Sequence, residues 1–96
     1  MRPGELLDAL MTDIKHVKLP MSVRVAVTWD YGSRIVFDLR SLTAGGKMRH
    51  HSRMFRESDL QYTHMTPEQM SLELLNAAYR AWEPELFESR GKVVRP

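Results

Sequence analysis

The chain has 96 residues, no cysteine and a formal charge of +2, with 43% hydrophobic and 27% charged residues. These values fit one soluble α+β-sized domain burying roughly 65% of its unfolded surface, and they exclude disulfides, thiolate metal sites and a polyelectrolyte that would bind nucleic acid by bulk charge alone. No apolar run reaches the roughly 18 residues a bilayer requires, and Met1 to Glu5 lack the apolar core of a signal peptide, so the expectation is a cytoplasmic protein.

Residues 3 to 17 read as the first helix. Leu6, Leu7, Leu10, Ile14 and Val17 recur at helical spacing, Pro3 suits the first turn, and Glu5 and Asp8 suit the positive end of the dipole. Pro20 biases Leu19 toward extended backbone and ends the segment.

The stretch from Ser22 to Arg40 alternates with period two. Val23, Val25, Val27 and Trp29 share one face of a first strand, and Ile35, Phe37 and Leu39 one face of a second. Pairing Trp29 with Ile35, Val27 with Phe37 and Val25 with Leu39 gathers these groups on one side and leaves Tyr31, Gly32 and Ser33 as the loop. A two-residue loop would set Trp29 against Arg34 and drive a charge into the core.

After the paired glycines Gly45 and Gly46, residues 47 to 55 read as a third strand. Met48, His50, Ser52 and Met54 form a weak inward face, with Arg49, His51 and Arg53 outward. Residues 56 to 65 read as irregular, anchored by Leu60, Tyr62 and Met65. A capping box then opens the second helix, with Thr66 at the cap, Pro67 at the first position and Gln69 at the third, and Met65 and Met70 at staple positions. Leu74, Leu75, Ala78, Ala81 and Trp82 continue its buried stripe. Pro84 ends it or starts a short turn over 85 to 89, Gly91 closes that turn, and residues 91–96 read as a flexible basic tail.

The expected fold is a single α+β domain over residues 1–96, in the order helix, three antiparallel strands, helix, with both helices on one sheet face. This order resembles that of double-stranded-RNA-binding domains. That family places a basic cluster at the start of the last helix, where this chain has Glu68 and Gln69, so the resemblance covers architecture only.

The segment KMRHHSRMFR concentrates Lys47, Arg49, Arg53 and Arg56 without an acid. On a strand, Arg49, His51 and Arg53 project to one side at a spacing suited to phosphates; the alternative use of such charge is to protect a sheet edge from aggregation. Adjacent His50 and His51 point to opposite faces and cannot chelate one ion, even with His16 and His64 elsewhere in the chain, so no metal or cofactor is expected. Gly45 and Gly46 lack the pattern of a phosphate-binding loop, and Asp30 and Asp38 fall too far apart for paired carboxylate chemistry. An endoribonuclease of the toxin and antitoxin type would use His50 or His51, but one strand histidine is thin support, so no enzyme is expected.

The leading expectation is a non-enzymatic module that binds nucleic acid or a nucleoprotein complex through Lys47, Arg49, His51, Arg53 and Arg56, with Tyr31 at the hairpin tip as an exposed aromatic contact. The alternative is a small inhibitor or assembly protein of phage or mobile-element type. It would occlude a larger complex through Tyr31 and the acidic region from Glu85 to Glu88.

Overall fold

The computed structural model describes residues 1–30, 33–42 and 45–96. Elements follow in the order α1 (Pro3–His16), β1 (Arg24–Asp30), β2 (Arg34–Leu42), β3 (Met48–Arg56), α2 (Glu57–Gln61), α3 (Pro67–Trp82) and α4 (Pro84–Arg90). The strands form one antiparallel sheet in the order β1-β2-β3. Leu6 and Leu10 of α1, Ile35, Phe37 and Leu39 of β2, and Leu74, Leu75 and Ala78 of α3 meet in one apolar cluster, so the helices cover one face of the sheet. The domain is α+β, as the order of sequence patterns implies.

The hairpin register matches the alternation: Val25 lies opposite Leu39, Val27 opposite Phe37 and Trp29 opposite Ile35. Pairing ends at Asp30 and Arg34; Tyr31 and Gly32, and with them the proposed aromatic contact, lie outside the described residues. One expectation about β1 fails. Trp29 is on the helix-covered face but 57% exposed, because it sits on an edge strand beyond the reach of the helix layer.

The capping box forms as the sequence implies. The Gln69 amide donates to Thr66 Oγ1 at 3.1 Å, and the Thr66 amide donates to Gln69 Oε1 at 3.0 Å, which satisfies two otherwise orphan donors. Met65 and Met70 both join the main cluster, Trp82 is buried, and Ala81 is exposed.

Residues 57–61, read as irregular, form the one-turn helix α2. The Asp59 carboxylate accepts from the Arg56 amide at 2.8 Å, which lets the chain turn directly out of β3. Leu60 is fully buried, and its carbonyl accepts from the Met1 ammonium at 2.7 Å. Tyr62, expected as an anchor, is 73% exposed.

Instead of running free, the C-terminal segment lies against the helices. The Val93 amide donates to Asn76 Oδ1 at 2.7 Å, and Asn76 Nδ2 donates back to the Val93 carbonyl at 3.0 Å. Val93 is buried with Val17 and Tyr79. Arg95 then reaches the buried Asp13, with Nε donating to Oδ1 at 2.9 Å, while Ser71 Oγ donates to Oδ2 of the same carboxylate. Gly91 makes the turn at φ +82°, a conformation that L side chains rarely adopt.

Candidate binding face

Which side of the sheet each charged residue occupies follows from parity. Side chains alternate along a strand, and directly opposed residues share a face. Ile35, Phe37, Leu39 and Ser41 are buried against the helices, so their partners on β3, namely Phe55, Arg53, His51 and Arg49, project to the same side. This reverses the assignment read from the sequence: Met48, His50, Ser52, Met54 and Arg56 face outward, and Arg49, His51 and Arg53 do not.

The reason lies in how much of that side is enclosed. Phe55, at the end of β3 nearest α2, is buried and packs edge-on against Phe37 with ring centroids 6.0 Å apart. Toward the other end, the inner side of β3 stays open enough that charge is tolerated there. Arg49 approaches Glu83 at 3.8 Å with 40% of its side chain exposed, and Arg53 lies 5.6 Å from the Phe55 ring centre. One enclosed aromatic sets the parity of a strand whose other positions are indifferent to it.

His51 is the exception among the three. It is partly enclosed, its Nε2 is buried without a hydrogen-bond partner, and burial followed by the Arg53 charge holds its pKa below the usual imidazole value. A neutral, half-enclosed imidazole is a poor phosphate contact.

The outer face is built from rows running across the three strands. At one end Leu42 lies opposite Met48; next come Arg24, Arg40 and His50, then Ala26, Asp38 and Ser52, then Thr28, Val36 and Met54, and finally Asp30, Arg34 and Arg56. Two rows are thus rich in arginine. Arg40 lies six residue steps along β2 from Arg34, which is roughly 20 Å at about 3.4 Å per residue.

Asp38 organises the centre. It accepts from Arg40 Nε at 2.7 Å and from Ser52 Oγ at 2.9 Å, and its Oδ1 lies 3.6 Å from His50 Nδ1. Burial alone would raise its pKa, but the bonds from Arg40 and Ser52 and the charges of Arg40 and His50 outweigh that and hold it below the usual carboxylate value. The sequence makes Asp38 a solvated charge; only the cross-strand neighbours show otherwise, although Asp38 and Arg40, two apart on one strand, necessarily share a face.

Chemically the cluster is arranged to hold charge. Both the serine hydroxyl and the histidine converge on the carboxylate, so Ser52 gives its hydrogen bond to Asp38 and not to an imidazole base, unlike a nucleophile and base pair. Among the described residues no group of three or more His, Cys, Asp or Glu is placed to hold a metal ion, and no helix is long and apolar enough to cross a membrane. A groove of about 620 Å³ lies away from this face between α3, α4 and the C-terminal segment, lined in part by Ala77, Arg80, Phe87 and Lys92.

Of the described strand residues expected to bind, Arg49, His51 and Arg53 project to the inner side and Arg56 lies on the outer face. Lys47 precedes β3 and is exposed. The arginines that join Arg56, namely Arg24, Arg34 and Arg40, are scattered in sequence, and only the strand register brings them together. No family model, curated protein or solved structure gave a match to the chain.

Proposed function

We propose that the chain is a non-enzymatic binding module that presents its outer sheet face to nucleic acid or to a nucleoprotein complex. The observation that carries this reading is the direct opposition of like charges across the sheet, Arg24 against Arg40 and Arg34 against Arg56. Like charges directly opposed on a sheet destabilise it. Asp38 offsets the first pair through Arg40, and Asp30 lies directly opposite Arg34 in the second row, so each row keeps an excess of positive charge. A polyanion laid across both rows would relieve the repulsion, and guanidinium groups suit phosphate oxygens because they offer paired donors. Between the rows, Ala26, Val36 and Met54 offer apolar surface for bases beside the polar Thr28, Asp38 and Ser52.

The test is fluorescence anisotropy of a labelled single strand and a duplex at two salt concentrations. Four engaged arginines predict a log–log salt slope near −2.8 for a single strand and −3.6 for a duplex. Arg34→Gln/Arg56→Gln is expected to flatten that slope by about 1.4 for the single strand and about 1.8 for the duplex while leaving the fold intact. Arg49→Gln/Arg53→Gln, on the other side of the sheet, is expected to change it little. Failure of the wild type to bind either probe at low salt overturns the reading.

A protein-binding inhibitor or assembly role is supported by a separate observation. Leu42 and Met48, opposed on the same face, are 61% and 54% exposed, and Met54 is 55% exposed. A partner captured from lysate that survives nuclease treatment and is lost with Met48→Asp supports this second reading over the first.

A further inference from the structure

The sheet has two outer edges, and they differ sharply. β3 carries Arg49, His50, His51, Arg53 and Arg56 and no acid, so no register can pair it with its own copy through opposite charges. Self-pairing about Ser52 would set His51 against Arg53 and Arg49 against Phe55. That edge is protected by its sequence. β1 reads Arg-Val-Ala-Val-Thr-Trp-Asp, with its only charges at its ends and of opposite sign. It pairs with β2 on one side only.

We infer that β1 is a self-association edge, and that two copies of this chain pair antiparallel through it about a two-fold axis at Val27, joining two three-stranded sheets into one of six strands. Three features of the strand converge on this register. Centred on Val27, Arg24 of one copy opposes Asp30 of the other, and symmetry makes that pair twice. Val25 then opposes Trp29 on the helix-facing side, so the indole left 57% exposed in the monomer gains an apolar neighbour. All seven residues of the strand are used.

Competing registers do worse. A slip by one residue puts the helix-covered face of one sheet against the open face of the other, because the side-chain period is two. Centring on Ala26 or Thr28 keeps the faces aligned and still gives Trp29 a valine, but it leaves the end charges without opposite partners and uses only five of the seven strand residues. The interface is isologous, so it closes at two copies and does not propagate. Its outer surface is continuous with the arginine rows of each copy.

The test uses the full chain in sedimentation equilibrium. The wild type is expected to be a reversible dimer, and Arg24→Asp, which turns both charge pairs repulsive, to weaken it about tenfold. Arg24→Asp/Asp30→Arg, which restores opposite charges in the same register, is expected to recover the affinity. Because the chain has no cysteine, Val27→Cys gives an independent reading: it is expected to form an intermolecular disulfide across the axis under mild oxidation, whereas Ser52→Cys on β3 is not. A wild type monomeric at millimolar concentration, a dimer indifferent to Arg24→Asp, or cross-linking through Ser52→Cys in place of Val27→Cys overturns the inference.

Discussion

Phe37 and Thr28 lie on adjacent strands with opposite orientations, one fully buried and the other exposed. Phe37→Asp replaces a fully buried ring with a carboxylate among Ile35, Leu39 and Phe55, and although Arg53 lies opposite it, the lost ring burial and the enclosed charge cost several kcal/mol, comparable with the whole stability of a small domain. It is expected to give an unfolded chain by circular dichroism, whereas Thr28→Asp is expected to retain a cooperative melt. At the start of α3, Thr66→Ala removes the acceptor for the Gln69 amide and is expected to lower unfolding free energy by about 1 kcal/mol in urea titration. An unchanged midpoint would mean that the cap contributes nothing there.

At the scale of the element, β3 shows how an edge strand can carry a charge pattern that does not decide its orientation. Its inner face is enclosed only at Phe55, with His51 partly shielded midway, and the consequence is a pH dependence. The fold disfavours protonation of His51, first through burial and then through Arg53. An unfolded chain therefore binds that proton more readily, starting near pH 6.5. The sign follows: the native state holds its full stability above about pH 6.5 and loses part of it as pH falls through that value toward the lower folded pKa. Asp38 acts in a separate, more acidic window, because its lowered pKa contributes stability that is lost only when the carboxylate is protonated. His51→Leu is expected to remove the loss just below pH 6.5 and leave the more acidic limb in place, as read from urea midpoints across pH.

For the whole molecule, the C-terminal segment closes the helix layer. Val93 fills a site beside Val17 and Tyr79, Asn76 pairs with its backbone, and Arg95 neutralises Asp13, whose side chain is 4% exposed. Removing residues 92 to 96 discards a buried valine and leaves a carboxylate enclosed without its cation. Combining these losses gives on the order of 3 kcal/mol, or roughly 12 to 24 °C in Tm for a domain of this size. Arg95→Lys is expected to fall between wild type and the truncation, because an ammonium cannot reproduce the two-pronged contact. A truncated chain melting with the wild type would show that the segment contributes nothing to stability.

Local patterning by itself determined the order of the two long helices and three strands, the hairpin register and the α3 cap, but not the short helix α2. Each rests on spacing that a short segment carries within itself: period two in 23–39, and Thr66-Pro67-Glu68-Gln69 at the helix start. What lay beyond those segments depended on how far the helix layer extends over the sheet. Parity in β3 was decided by Phe55, and Trp29 was left exposed, because edge strands are only partly covered. Likewise Asp13, an acid on α1 with no partner near it in sequence, became the anchor for Ser71 and for Arg95, which is 82 residues away. The outer arginine rows have the same origin. Arg24, Arg34, Arg40 and Arg56 form no run in the chain, whereas the conspicuous run at 47–56 was divided between two faces. Adjacent residues on a strand point apart, and it is pairing between strands that brings distant charges onto one surface.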